Sequence, residues 1–143
     1  MQSTGLFHLQ VNIRPEHQIF YRELLGDLGW TTIYDHPLVF AARGANGPAL
    51  WFESIAKDVP FDYDGPGVNH ITLGAASTSG VDEFIEWLAV RGIACLFGTS
   101  RHRPEFADET TDYYQVMFES PDGILFEFVY NGPMNNVCPP TEV

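Results

Sequence analysis

Gly67 to Gly92 reads GVNHITLGAASTSGVDEFIEWLAVRG, and the fold turns on how this stretch divides. Val68 to Gly74 has the composition of a short strand with His70 inside it. Ser79 and Asp82 then stand at capping-box spacing, with Asp replacing the usual Glu or Gln. Val81, Phe84, Ile85 and Leu88 recur on one side of a helix, and Gly92 supplies the residue that ends it. A strand carrying a histidine, followed by an amphipathic helix closed by glycine, is the unit to look for elsewhere.

The unit occurs once more, upstream. In Leu6 to Ile13, Phe7, Leu9, Val11 and Ile13 alternate with Leu6, His8, Gln10 and Asn12, the period-2 pattern of a strand with one buried face. Pro15 suits the first turn of a helix. Phe20, Leu24 and Leu28 follow at helical spacing, flanked by Ile19 and Leu25, and Gly29 closes the segment. His8 to Gly29 is 21 residues and His70 to Gly92 is 22. Strand-like runs follow each helix: Thr31–Tyr34, Leu38–Arg43 and Ala49–Ile55 in the first half, Ile93–Phe97, Tyr114–Glu119 and Ile124–Tyr130 in the second. Asn46-Gly47-Pro48 and Ser120-Pro121-Asp122-Gly123 read as turns. Each half is therefore β-α-β-β-β, an internal duplication. The acidic, Gly/Pro-rich Asp62–Gly67 (DYDGPG) joins the modules, residues 6–61 and 68–130, within one domain spanning 1–143. Residues 98–113 form a long polar loop, of the kind that serves as a lid or binding element, and 131–143 a Pro/Asn-rich tail.

Composition excludes several classes of function. The 143 residues are 45% hydrophobic, enough for a packed core, and the net charge is −12. So acidic a chain repels phosphate backbones and anionic surfaces, which argues against nucleic acid and membranes as partners. No apolar run reaches membrane-spanning length and no signal peptide opens the chain, so a cytoplasmic location is expected. Cys95 and Cys138 make no disulfide framework and are read as reduced thiols.

Three residues stand out chemically. His8 and His70 occupy equivalent strands, and Glu127 lies between Phe126 and Phe128 in a run that otherwise reads as buried. A carboxylate there is costly unless something positive meets it. Neither Lys nor Arg is close in sequence, so a metal cation is the natural partner. Two histidines and one carboxylate suit divalent iron, manganese, nickel or zinc and leave coordination positions open. Glu53, closing the first half, is a fourth candidate. Counted from the turn glycines, the gap-free counterpart of Glu127 is Trp51; a longer turn around Pro48 would restore Glu53, because a two-residue shift keeps the same face. Trp51 and Glu53 share that face.

Together, FHLQV with His8, FYRELLGDLGW, LWFES with Glu53, VNHITL with His70 and SPDGILFEF with Glu127 resemble the vicinal oxygen chelate superfamily. That superfamily contains glyoxalases, extradiol dioxygenases, fosfomycin-modifying thiol transferases and bleomycin-resistance proteins. The resemblance covers Phe7 to Tyr130. It implies an α+β fold in which two βαβββ modules form a curved eight-stranded, mixed-sheet cleft around one divalent metal ion, in a homodimer whose modules pair between chains in many small members. It also implies a small-molecule substrate that binds the metal through two adjacent oxygens. In a glyoxalase-like isomerase or lyase, Glu127 would be ligand and base with Glu53 as the opposed carboxylate, alongside His8 and His70. Without Glu53 the set resembles an Fe(II) extradiol ring-cleaving dioxygenase, with Tyr113 and Tyr114 orienting a phenolate; the helper histidine of that branch is not identifiable from the sequence, His102 being the loop histidine that could serve. Arg101 and Arg103 would grip a carboxylate or a thiol cosubstrate such as glutathione; the scarcity of other basic residues argues against the phosphonate-binding branch. The non-enzymatic alternative is a bleomycin-resistance-like protein, whose aromatic cleft, here Trp51, Tyr113 and Phe126, holds a cationic drug.

Overall fold

The computed structural model describes residues 1–134. The chain divides into two compact units, one ending at Phe61 and the other beginning at Asp62. In the first unit, β1 (His8–Asn12) leads through a 3-10 turn (Pro15–His17) into α1 (Gln18–Asp27), then β2 (Thr31–His36), β3 (Val39–Arg43) and β4 (Ala49–Glu53). The sheet order is β1-β4-β3-β2, with β1 parallel to β4 and the remaining pairs antiparallel. Pro15 has a fixed φ and no N–H to satisfy, so it opens the turn that starts the helix. The core lies between α1 and one face of the sheet. Tyr21 stacks on Phe52 with centroids 4.8 Å apart, and Phe52 on Phe40 at 5.0 Å; all three are fully or almost fully buried.

The helix is rotated relative to the stripe expected from the sequence. Its buried residues are Tyr21, Leu24 and Leu25, whereas Phe20 is only half-buried and Ile19 is exposed. Tyr21 is amphipathic and escapes an apolar periodicity count, yet its ring fills the space above Phe52 and sets the helix face.

The second unit repeats the plan. It contains β5 (His70–Gly74), α2 (Thr78–Val90), β6 (Arg101–His102), a 3-10 turn (Pro104–Phe106), β7 (Thr111–Glu119) and β8 (Leu125–Pro133). The sheet order is β5-β8-β7-β6, with β5 parallel to β8 and the other pairs antiparallel. Val81, Phe84 and Leu88 of α2 are buried, and Phe84 packs on Phe118 and Phe128 at 5.3 and 4.8 Å. Both units are thus βαβββ, the α+β architecture expected from the duplication.

Four local expectations change. The helix cap is Ser77, whose hydroxyl accepts from the Gly80 N–H at 3.0 Å; Ser79 already lies inside the first turn. Ile93–Phe97 is not a strand: Phe97 and Gly98 take left-handed φ of 57° and 65°, which extended backbone does not permit. The edge-strand role passes to Arg101–His102, paired with Gln115 and Tyr114. Residues 98–113 are therefore not an unstructured loop. Asp108 closes the turn there by accepting from the Thr110 and Thr111 N–H groups at 2.7 and 2.9 Å, and the following strand starts at Thr111. Finally, Asn131–Pro133, read as tail, belong to β8. The rest of that tail after Met134, with Cys138, lies outside the described residues; Cys95 is a free thiol. No helix among the described residues is long and apolar enough to cross a membrane.

Candidate functional site

Alternation along β5, β7 and β8 places His70, Thr72, Tyr113, Gln115, Met117 and Glu127 on the sheet face away from α2. Register sets their neighbours: Glu127 stands opposite Thr72 on one side and Met117 on the other. Glu127 is 4% exposed, and its carboxylate is well furnished with donors. The Thr72 hydroxyl donates to Oε2 at 2.8 Å and the Tyr113 hydroxyl to Oε1 at 2.9 Å. The Gln115 amide NH2 donates to Oε1 as well, while its carbonyl accepts from Arg103 Nη1 at 3.1 Å. This corrects the expectation that no basic residue is near: Arg103 reaches the carboxylate's surroundings through Gln115. Burial pushes the Tyr113 phenol up to about 12, helped by the hydrogen bond and negative charge of Glu127 and opposed by Arg103.

His70 completes the group. Its Nε2 lies 3.4 Å from Glu127 Oε2. Its Nδ1 lies 2.8 Å from Asn69 Oδ1, and the Asn69 Nδ2 donates to the Tyr63 carbonyl at 2.8 Å. That second bond orients the Asn69 amide so that its oxygen faces the imidazole, and Nδ1 must therefore be the protonated nitrogen. In the neutral ring Nε2 then offers a lone pair toward a carboxylate oxygen. Two acceptors held face to face repel unless a cation or a proton lies between them.

The first unit carries the corresponding strands with different chemistry. His8, like His70, is the first residue of its strand, and it stands opposite Ala49 as His70 stands opposite Leu125. Gln10 stands opposite Trp51, where Thr72 stands opposite Glu127. The position equivalent to Glu127 is thus Trp51, and the turn at Pro48 does not shift Glu53 into it. Glu53 lies one step further along the same face, opposite Asn12, and accepts from Gln10 Nε2 at 2.6 Å. The Trp51 ring lies between His8 and Tyr34, at 6.1 and 5.2 Å.

Solved structures share this doubled plan. A Bacillus halodurans protein assigned provisionally to the glyoxalases matches with a TM-score of 0.72 and 25% identity, over 89% of this chain and 96% of that one. A glyoxalase/dioxygenase from Nostoc punctiforme matches with a TM-score of 0.65 and 14% identity, over 90% and 91%. A glyoxalase/bleomycin resistance protein/dioxygenase from Alicyclobacillus acidocaldarius matches at 0.58 and 18%, over 92% and 95%. The fold is that of the vicinal oxygen chelate superfamily. No protein-family model matches the chain, and no curated protein sequence does.

Vicinal oxygen chelate proteins usually bind a divalent metal. Here the second unit brings two donors together, the imidazole of His70 and the carboxylate of Glu127. Their chemistry fits such an ion: Nδ1 lies against an amide carbonyl, the outer partner that orients a metal-binding histidine, and the neutral ring then turns its Nε2 lone pair toward Glu127. Among the described residues no group of three or more His, Cys, Asp or Glu side chains is gathered as a metal cluster.

The other candidates fall in different places. Tyr113 and Tyr114 are successive strand residues and face opposite ways. Tyr113 meets Glu127, whereas the Tyr114 hydroxyl meets Asp82 of α2 and Ser100, both at 2.8 Å, and burial raises its pKa. His102 goes with Tyr114, its ring tilted at 32° to the phenol with centroids 4.5 Å apart, and pairs with Asp112 at 2.7 Å. Arg103 bonds Glu105 at 2.6 Å and lies over the Phe106 ring at 4.7 Å. Arg101 is exposed and lowers the pKa of Glu105 as a minor contributor. Asn69, Thr72 and Gln115 were not singled out in the sequence. Thr72 has a local signal in its two-residue spacing to His70; Gln115 lies inside the strand expected at Tyr114–Glu119, but only strand pairing brings Arg103 and Glu127 to it.

Proposed function

We propose that the chain is a metal-dependent enzyme of the vicinal oxygen chelate type, glyoxalase-like, acting on a small substrate with two adjacent oxygens. The observation that carries the reading is the contact of His70 Nε2 with Glu127 Oε2 at 3.4 Å, with the other ring nitrogen held at Asn69 Oδ1. The proposed donors are His70 and Glu127, with His8 from the first unit; Glu53, two residues past the position that matches Glu127 and bonded to Gln10, is left out of the set. A divalent ion bound there would act as a Lewis acid where negative charge develops on the substrate. Glu127 is the candidate base. Hydrogen bonds to both oxygens fix its plane, so a proton taken from the substrate would be accepted in one direction.

A second reading is favoured by Trp51, which stands where the second carboxylate of a four-donor site would be. His8, His70 and Glu127 are then a two-histidine, one-carboxylate set, the kind that suits ferrous iron with open positions, and the reaction would be extradiol ring cleavage. Metal analysis of protein purified without chelators or an affinity tag, repeated after adding nickel, zinc, manganese or anaerobic ferrous iron, tests both readings. About one metal per chain is expected, followed by hemithioacetal isomerisation with nickel or zinc, or catechol cleavage with iron. No binding under any condition would overturn both and leave the drug-binding alternative.

A further inference from the structure

We propose that Arg103, Gln115 and Tyr113 form a positioning relay that holds the Glu127 carboxylate in place and ties it to the edge of its sheet. The relay rests on the reading of Glu127 as a metal ligand only for its functional consequence; its geometry stands without a metal. Gln115 is 2% exposed, so each polar atom of its amide needs a protein partner. It has two of opposite character. The carbonyl accepts from the Arg103 guanidinium and the NH2 donates to Glu127 Oε1. A cation on the carbonyl side polarises the amide and strengthens the bond it donates, so the charge of Arg103 reaches Glu127 without direct contact.

Arg103 is itself held. Its Nε donates to Glu105 and its plane lies over Phe106, while its backbone N–H donates to the Tyr113 carbonyl at 2.8 Å. Phe106 meets the Tyr113 ring edge-on at 5.3 Å, and the Tyr113 hydroxyl returns to the same Oε1. Two donors therefore converge on Oε1 from β7, and both are braced by the segment from β6 to the 3-10 turn. The other oxygen, Oε2, is the one that faces His70. The relay thus pins the far side of the carboxylate and presents the near side.

The test uses the full chain and two readouts. In metal-free protein, the Gln115 side-chain NH2 is followed by NMR; in the parent it should exchange slowly with solvent. Arg103→Met should shift these signals and speed their exchange, and Arg103→Lys, able to make one hydrogen bond without the planar fork, should restore them in part. Ni2+ and Mn2+ titrations then read the consequence. Arg103→Met and Gln115→Met should each weaken binding about 10- to 100-fold, the usual effect of losing an outer partner, and the double variant should be no weaker than Gln115→Met alone. Thermal melts establish that each variant is folded; if Gln115→Met is not, the two Arg103 variants carry the test. Unmoved Gln115 signals in Arg103→Met would overturn the relay whatever the metal result. Shifted signals with unchanged Ni2+ and Mn2+ affinity would overturn its positioning role. If the parent binds neither ion, the metal reading fails, and the relay stands or falls on the Gln115 signals.

Discussion

Trp51 stands opposite Gln10 in the first unit as Glu127 stands opposite Thr72 in the second. The two modules therefore present different groups at the same place: an indole between His8 and Tyr34, and a carboxylate facing His70. Glu53 lies one step beyond, already hydrogen-bonded to Gln10. The two modules share the register of their histidines and differ at the position of the carboxylate.

The offset decides what Glu53 does. Replacing it by Gln keeps its volume and a bond to Gln10, so Ni2+ and Mn2+ affinity should stay within about threefold, far less than the loss of a ligand or its outer partner. A metal titration checks this. A larger loss would return Glu53 to the donor set.

His70→Ala should abolish tight divalent-metal binding while the melting curve moves little, because the side chain is partly exposed. Glu127→Gln should behave differently. Its new NH2 would face the Thr72 hydroxyl or the donors of Tyr113 and Gln115, leaving a mismatched buried contact that costs about 1–3 kcal/mol. Urea unfolding of the two variants side by side separates the effects.

Phe52 is sandwiched between Tyr21 and Phe40 and is completely buried. Phe52→Ala should destabilise the first unit by about 3–5 kcal/mol, the range for truncating a buried aromatic ring. Ser77→Ala removes the side chain that caps α2 and should cost about 1 kcal/mol. Chemical denaturation of each variant gives both figures.

Asp108 titrates far below its ordinary value of 3.8, at about 2, chiefly because the Thr110 backbone N–H and hydroxyl, and then Thr111, bond its carboxylate. A depressed folded pKa contributes stability that is present above the unfolded value and lost as pH falls through the folded one. The turn carrying β6 toward β7 should therefore loosen between 3.8 and about 2. Amide exchange of Thr110 and Thr111, measured above and within that window, should rise more in the parent than in Asp108→Asn, which has no charge to lose.

The doubled βαβββ plan could be read from the chain because its signals are local. Alternation in β1, the stripe of α2, and the glycines after both helices each act within a few residues and recur at nearly the same spacing. His8 and His70 are legible because they recur on equivalent strands, and Glu127 because it interrupts a run that otherwise buries. Tyr21 was missed because its ring is apolar and its hydroxyl is not, and only the space above Phe52 decides which property counts.

Register, edge strands and partners belonged to the tertiary structure alone. Whether Trp51 or Glu53 matches Glu127 depends on how β4 slides against β1, and a two-residue slip leaves the hydrophobic pattern unchanged. Ile93–Phe97 is more apolar than Arg101–His102, yet the shorter, charged pair takes the edge of the sheet, because the turn closed by Asp108 delivers it to Tyr114 and Gln115. Arg103 lies 24 residues before Glu127, and nothing in the sequence joins them. Sequence periodicity reports which face a residue shares; which neighbour it meets across a sheet is set by pairing, and pairing placed Gln115 between a guanidinium and a carboxylate.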